Sequence, residues 1–319
     1  MRVGWCLSLV AALLVGQVGA QSLVERLGFP ADARLLIINA DDFGMNQATN
    51  TGTVKALRSG GITSTTVMVP CPWFMQAVDF GRKNPQANIG VHTTLTSEWR
   101  SYKWGPVIGA TTGASLVDDM GYFHPDVPPL YLNAKIEDVE AEVRAQIDKA
   151  IKAGLDITHI DSHMGAMQYA PGYHKLYIEL AKDYNLPCRI AGRELMEQFG
   201  GGQLIDYADS LGVLHCEELI MDGPSDTSEE GTAKYWKEQM SALKPGLVTE
   251  ILIHCGQMTP EMEDTTGTAL RRTMDTEFFA HPDTLKWIRE QGIELISYRE
   301  LRELQRTGKP LPRVEHYGW

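Results

Sequence analysis

Short β-branched and apolar runs alternate with helix-forming segments along nearly the whole of this 319-residue chain. Strand-like runs fall at residues 35–40 (LLIINA), 62–69, 87–92, 157–161, 188–191, 247–254 and 293–296. Helical stretches lie between them. Asn46 can cap a helix running to Arg58, stopped by Gly60 and Gly61. Residues 136–153 place Val139, Val143, Ile147 and Ile151 along one stripe, with Gly154 as the stop. Ser297 and Glu300 form a capping box for the last helix. A repeated β-then-α order buries its strands in a parallel sheet with helices on the outside. Roughly six or seven such units suit an irregular (β/α) barrel, and a doubly wound open sheet is the alternative. No Pro/Ser-rich linker or change in composition divides the chain, so residues 21–319 read as a single α/β domain.

The first twenty residues stand apart. Arg2 precedes an uncharged apolar run over residues 7–18, and Val18-Gly19-Ala20 offers a small-residue cleavage site before Gln21. This pattern is that of a secretory signal peptide, and the run is short for a membrane span. The expectation is export to the periplasm or the extracellular space, with no stable membrane insertion. With 43% hydrophobic and 22% charged residues the full chain has the composition of a folded domain. A formal charge of −12 leaves no basic excess to neutralise phosphates, which argues against a nucleic-acid partner. Cys71, Cys188, Cys216 and Cys255 would remain after cleavage. An exported chain permits disulfides among them, but none is spaced as CxxC, and free buried thiols fit equally well. Monomer and homodimer are both compatible with the sequence.

Chemistry-bearing residues collect at strand ends. Asp41 and Asp42 end the first apolar run, and adjacent carboxylates repel unless a cation or a shared proton relieves them. A bound metal would leave one as ligand and the other as base. His92 ends the run at 87–92, and a neutral imidazole is a common metal ligand. His159, Asp161 and His163 share one parity and would face one side of a strand, with the carboxylate able to orient an imidazole. His254 ends the run at 247–254 and could protonate a leaving group. In a barrel these ends converge on one mouth. One Asp and two His suffice for a divalent ion with open positions. Two long connections, 96–134 and 255–280, would border that mouth. Trp99 and Trp104 in the first could stack on sugar rings or simply pack the loop down.

GxSxG, Walker, GxGxxG and HExxH motifs are missing, which withdraws support from serine hydrolases, nucleotide phosphotransferases and Rossmann dehydrogenases. The runs LIINADDFGMN, ITSTTVMVP, IGVHTTLT and THIDSHMG closely resemble the YdjC-like carbohydrate deacetylases over residues 35–304. The resemblance implies an irregular (β/α) barrel of the polysaccharide deacetylase type and metal-dependent removal of acetyl groups from N-acetylated mono- or oligosaccharides. It assigns Asp41 as base, Asp42, His92 and His163 as metal ligands, and His254 as the late strand-end histidine. Zinc or magnesium is the expected ion, with manganese, cobalt and nickel also compatible. The chain departs from the family pattern at Cys255, where Pro is usual, and at Met164-Gly165, where relatives often carry histidines. By strand parity Cys255 points away from His254. Other readings are a metal-dependent hydrolase of a non-sugar amide or ester, and a non-catalytic sugar-binding protein. The presence of all five residues argues against the last.

Overall fold

The computed structural model describes residues 21–313, 317 and 318; the expected signal peptide lies outside them. Seven parallel strands form the sheet: β1 (Arg34–Phe43), β2 (Ser64–Val67), β3 (Ile89–Thr93), β4 (Ile157–Ser162), β5 (Glu218–Ile220), β6 (Val248–His254) and β7 (Ile293–Leu295). They run in the order β4-β3-β2-β1-β6-β5, with β7 paired to the start of β1 below β2. Residues 188–191, expected to be a strand, make only one bridge, between Cys188 and Ile160. That bridge and the bonds Cys188 N–H to Leu214 O (3.1 Å) and Glu217 N–H to Val248 O (2.8 Å) carry the ring from β4 round to β6. The result is an irregular barrel, not an open doubly wound sheet. Among the described residues, no helix is long and apolar enough to cross a membrane.

Period-two alternation assigns the two faces of β1. Leu36, Ile38 and Ala40 pack outward in the large core beneath the helices, while Leu35 and Ile37 join Val248, Tyr298 and Leu301 inside the ring. The same inner parity continues to Asn39 and Asp41. The interior is therefore apolar at its base and polar towards the strand C-termini. Midway up, His159 stacks on Tyr298 with ring centroids 3.7 Å apart. Gly90 on β3 makes room for that ring: a Cβ there would lie 2.5 Å from His159 Nδ1 and 2.7 Å from its carbonyl oxygen. Gly90→Ala should therefore lower stability by about 1–3 kcal/mol, as overpacking does, read as a reduced urea midpoint.

The outer helices form largely where the sequence places them. Asn46 accepts from Thr49 N–H at the head of helix Gln47–Ser59, and Gly60 closes it at φ 76°. Helix Ile136–Lys152 buries Val139, Val143, Ile147 and Ala150, but Ile151 is 47% exposed. Steps of four residues drift about 40° each, so Ile151 has rotated off the stripe that begins at Val139. Glu142 and Gln146 take the buried places beside that stripe. Gln146 bonds both the N–H and the carbonyl of Thr94, and Glu142 accepts from Val107 and Ile108. They pin the long loop after β3 to the barrel. The connection at 255–280, read as a loop, is mostly helical, with helices Pro260–Thr265 and Ala269–Ala280. Among the described residues Cys71, Cys188, Cys216 and Cys255 are free buried thiols.

Candidate metal centre and cavity

The register of the sheet aligns the strand ends. Asp41 is paired with His254 across β1 and β6, and His92 with Asp161 across β3 and β4. Alternation alone would turn Asp42 away from Asp41. A register shift in the β1–β2 pairing between Ala40 and Phe43, with Asp42 at φ 68°, brings both carboxylates to the same mouth. A left-handed backbone at a non-glycine residue is strained, and such strain collects at functional sites. Gly44, at φ 89°, completes the turn, and its N–H is held by Asn50 Oδ1 at 2.6 Å.

Asp41, Asp42, His92, His163 and His254 all line one cavity of about 610 Å³. Asp42 Oδ1 lies 3.4 Å from His92 Nε2 and 3.5 Å from His163 Nδ1, and the two nitrogens are 3.2 Å apart. Ligands about 2.0–2.1 Å from a tetrahedral ion stand about 3.4 Å from one another. Asp42 Oδ1 is buried with no hydrogen-bond partner, although Oδ2 of the same carboxylate takes Arg272 at 2.7 Å. A buried acceptor left open beside two converging imidazole nitrogens fits a cation. A second cluster, Asp41, His92 and Asp161, is also close enough to hold an ion. Its carboxylates are already committed to Arg189 and to His92, so the Asp42 group fits better.

Each imidazole of that group has a carboxylate behind it. His92 Nδ1 lies 2.7 Å from Asp161 Oδ1, and His163 Nε2 lies 3.0 Å from Glu98 Oε2. Such backing fixes the tautomer and aims the other nitrogen. Burial opposes protonation of His163, but Glu98 and Asp42 outweigh it and push its pKa up to about 9. For His92 burial is likewise overcome, by Asp161 and Asp41. The acids around these rings thus favour positive charge between them.

Asp41 is held differently. Arg189 grips both its oxygens at 2.8 Å, and Asn39 Nδ2 donates to it at 2.8 Å. Burial would raise its pKa, but Arg189 and then His92 hold the carboxyl well below the usual range. Arg189 also meets Asp161 Oδ2 at 3.0 Å and Glu250 at 2.6 Å. His254 has a side chain 33% exposed, and its Nε2 lies 3.9 Å from Asp42 Oδ2. Its exposed edge faces the cavity, and desolvation of the ring, aided by Arg272, outweighs Asp42 and lowers its pKa to about 4, so it rests neutral.

His159 is not part of the site. It sits a layer lower in the interior, where burial and Arg189 hold its pKa well down. Trp104 is buried, and its Nε1–H bonds to Thr96 O at 2.9 Å; Trp99 packs edge-on against it at 5.4 Å. Neither ring lines the cavity, so these tryptophans pack the loop. Cys255 is buried on the outer side of β6. Sequence reasoning missed Glu98, Arg189 and Arg272.

The family model for YdjC-like proteins matches residues 35–290. The chain belongs to the YdjC-like family. This YdjC-like chain is 28% identical over 279 residues to a protein named carbohydrate deacetylase from Thermoanaerobacter pseudethanolicus, covering 84% of this chain and 100% of that one. It is 30% identical over 268 residues to another protein of that name from Enterococcus faecalis, covering 83% and 97%. A crystal structure from Enterococcus faecalis V583, described as that of a candidate cellobiose-phosphate cleavage protein, superposes with a TM-score of 0.73 at 28% identity. It covers 84% of this chain and 99% of that one.

Proposed function

We propose that this YdjC-like protein is a metal-dependent hydrolase that removes acetyl groups from N-acetylated sugars. The observation that carries the reading is the orphaned Asp42 Oδ1, facing two carboxylate-backed imidazoles in a cavity that also holds Asp41 and His254. The relatives named carbohydrate deacetylases support the reaction class. When bound at Asp42, His92 and His163, a divalent ion would supply Lewis-acid polarisation of the acetyl carbonyl and a more acidic water. An N₂O donor set suits zinc.

Asp41 accepts a proton from the attacking water as the new C–O bond forms at the acetyl carbon. Arg189 lowers the basicity of Asp41 and in exchange fixes its orientation. The C–N bond then breaks, and His254 protonates the departing nitrogen, releasing acetate and the free amine. Because His254 rests neutral, it takes up a proton from solvent before the C–N bond breaks, and Asp41 returns to solvent the proton it took from water, so amide and water give the acid and the free amine. Asp161 and Glu98 hold the two imidazoles in place. Acetate release from defined N-acetylated oligosaccharides, beside O-acetyl esters and simple amides, tests this. No acetate from any acetylated sugar by folded, metal-loaded protein would overturn it; faster turnover of a simple amide would move the substrate outside sugars.

Glu98→Gln should weaken metal binding by about 10–100-fold, the usual cost of losing a carboxylate behind a ligating histidine. Competition with a chromophoric chelator reads that affinity without turnover. The amino-terminal run over residues 1–20 supports export of this activity. The mass of the processed chain tests it: a mature protein beginning at Gln21 is expected, and an uncleaved chain would contradict it.

A further inference from the structure

The two oxygens of Asp42 have unequal surroundings. Oδ1 is open towards His92 and His163, while Oδ2 accepts from Arg272 Nη2 at 2.7 Å. Arg272 is buried, and among the described residues it pairs with no other acid. Arg189, by contrast, is shared among three carboxylates. The mechanism above gives Arg189 an orienting task and gives Arg272 none.

The fold places Arg272 with care. It lies in the first turn of helix Ala269–Ala280, and its Nε donates to Thr268 Oγ1 at 3.2 Å. Its carbonyl accepts from Thr276 Oγ1 at 2.8 Å, and that hydroxyl accepts from Gly256 N–H at 2.9 Å. Gly256 lets the helix come close: a Cβ there would lie 3.1 Å from Arg272 Cβ and 2.9 Å from Met262 Cε. The helix carrying the guanidinium is thus tied to the end of β6, the strand that also delivers His254.

A carboxylate can give a cation one oxygen or two. With both oxygens of Asp42 available, an ion here would meet two oxygens and the nitrogens of His92 and His163, which fills a tetrahedral shell. With Oδ2 held by a guanidinium, Asp42 offers Oδ1 alone, and a position stays open for water and for the acetyl oxygen. The held oxygen also faces His254, whose Nε2 is 3.9 Å away. An ion drawn onto Oδ2 would come against the group that protonates the amine.

We propose that Arg272 is a positioning residue that keeps Asp42 a one-oxygen ligand, so that the metal centre retains room for water and substrate. This rests on the metal-dependent reading above and assigns a task to a residue which that mechanism left unused. A cation on the ligand carboxylate also repels a divalent ion. Arg272 therefore weakens metal binding while it keeps the site open. An arginine that merely shaped Asp42 would strengthen metal binding instead.

The test uses full-length protein loaded with zinc for affinity and with cobalt for its visible spectrum. Neutral imidazole, a ligand for open metal positions, should perturb the cobalt spectrum of the unaltered protein. In Arg272→Met that perturbation should need at least about tenfold more imidazole, zinc should bind about tenfold more tightly in chelator competition, and kcat should fall by about 10–100-fold, the scale on which groups behind a metal ligand act. Arg272→Gln, too short to hold Oδ2, should behave likewise and serves if the methionine variant does not fold. Arg272→Lys keeps a donor for Oδ2 and should retain the imidazole response. Imidazole binding at its original strength in Arg272→Met or Arg272→Gln would overturn the inference. Weaker zinc in those variants would overturn it too, since a lost orienting contact then accounts for the effect. Either result leaves the deacetylase reading intact. Failure of the unaltered protein to bind one cobalt per chain would overturn that reading and this inference with it.

Discussion

Asp41→Asn should reduce kcat by about 10²–10⁴-fold, the range that a positioned general base contributes, while the protein keeps its metal. Asparagine preserves the shape of the side chain and can still accept a hydrogen bond from Arg189, which retains Asp161 and Glu250 as partners. The fold should therefore survive. Metal analysis beside single-turnover kinetics separates the outcomes. Loss of metal in this variant would mean that Asp41, and not Asp42, is the ligand. Unchanged kcat would remove the base from the mechanism.

Arg189→Leu should produce the largest loss of stability. One guanidinium, almost wholly buried, is shared by Asp41, Asp161 and Glu250, and Glu250 in turn accepts from Tyr298 at 2.5 Å. Removing the cation leaves three buried carboxylates facing one another. Breaking a buried pair by deleting one partner costs about 3–5 kcal/mol, and here three acids lose the same partner. The expected reading is a lower urea midpoint with unchanged slope. Arg189→Lys keeps the charge but not the fork that spans both oxygens of Asp41. It should recover part of the stability while kcat stays low. Full activity in the lysine variant would contradict the orienting role of the fork.

These residues also mark where the sequence was legible. The strand ends carrying Asp41, His92, Asp161 and His254 were visible because apolar runs stopping at a charged or imidazole side chain break a strong pattern. Barrel topology then brings such ends together. Asp42 was legible as a residue but not as a geometry: its place beside Asp41 depends on a bulge and a left-handed backbone. Arg272 stayed hidden because helix Ala269–Ala280 turns Arg272, Asp275, Thr276 and Phe279 inward. That is a helical stripe made mostly of polar residues, and hydrophobic periodicity does not register it. Arg189 lay in the short run at 188–191, expected to be a strand, and nothing in that run signals the three buried carboxylates that the fold brings to it. Glu98 sits six residues beyond His92 in a loop, and only its pairing with His163 reveals its part. His159 shares the parity of Asp161, and parity assigns a face but not a height. It faces the interior below the mouth, stacked on Tyr298.

The dependence on a metal held by Asp42 is the centre of the account. Metal-free full-length protein titrated with zinc, with bound metal and acetate release followed together, tests it most directly. Activity should rise in proportion to occupancy and level off at one equivalent per chain, and Asp42→Asn should lose both metal and turnover. Undiminished acetate release from protein stripped of metal, or from Asp42→Asn, would contradict it.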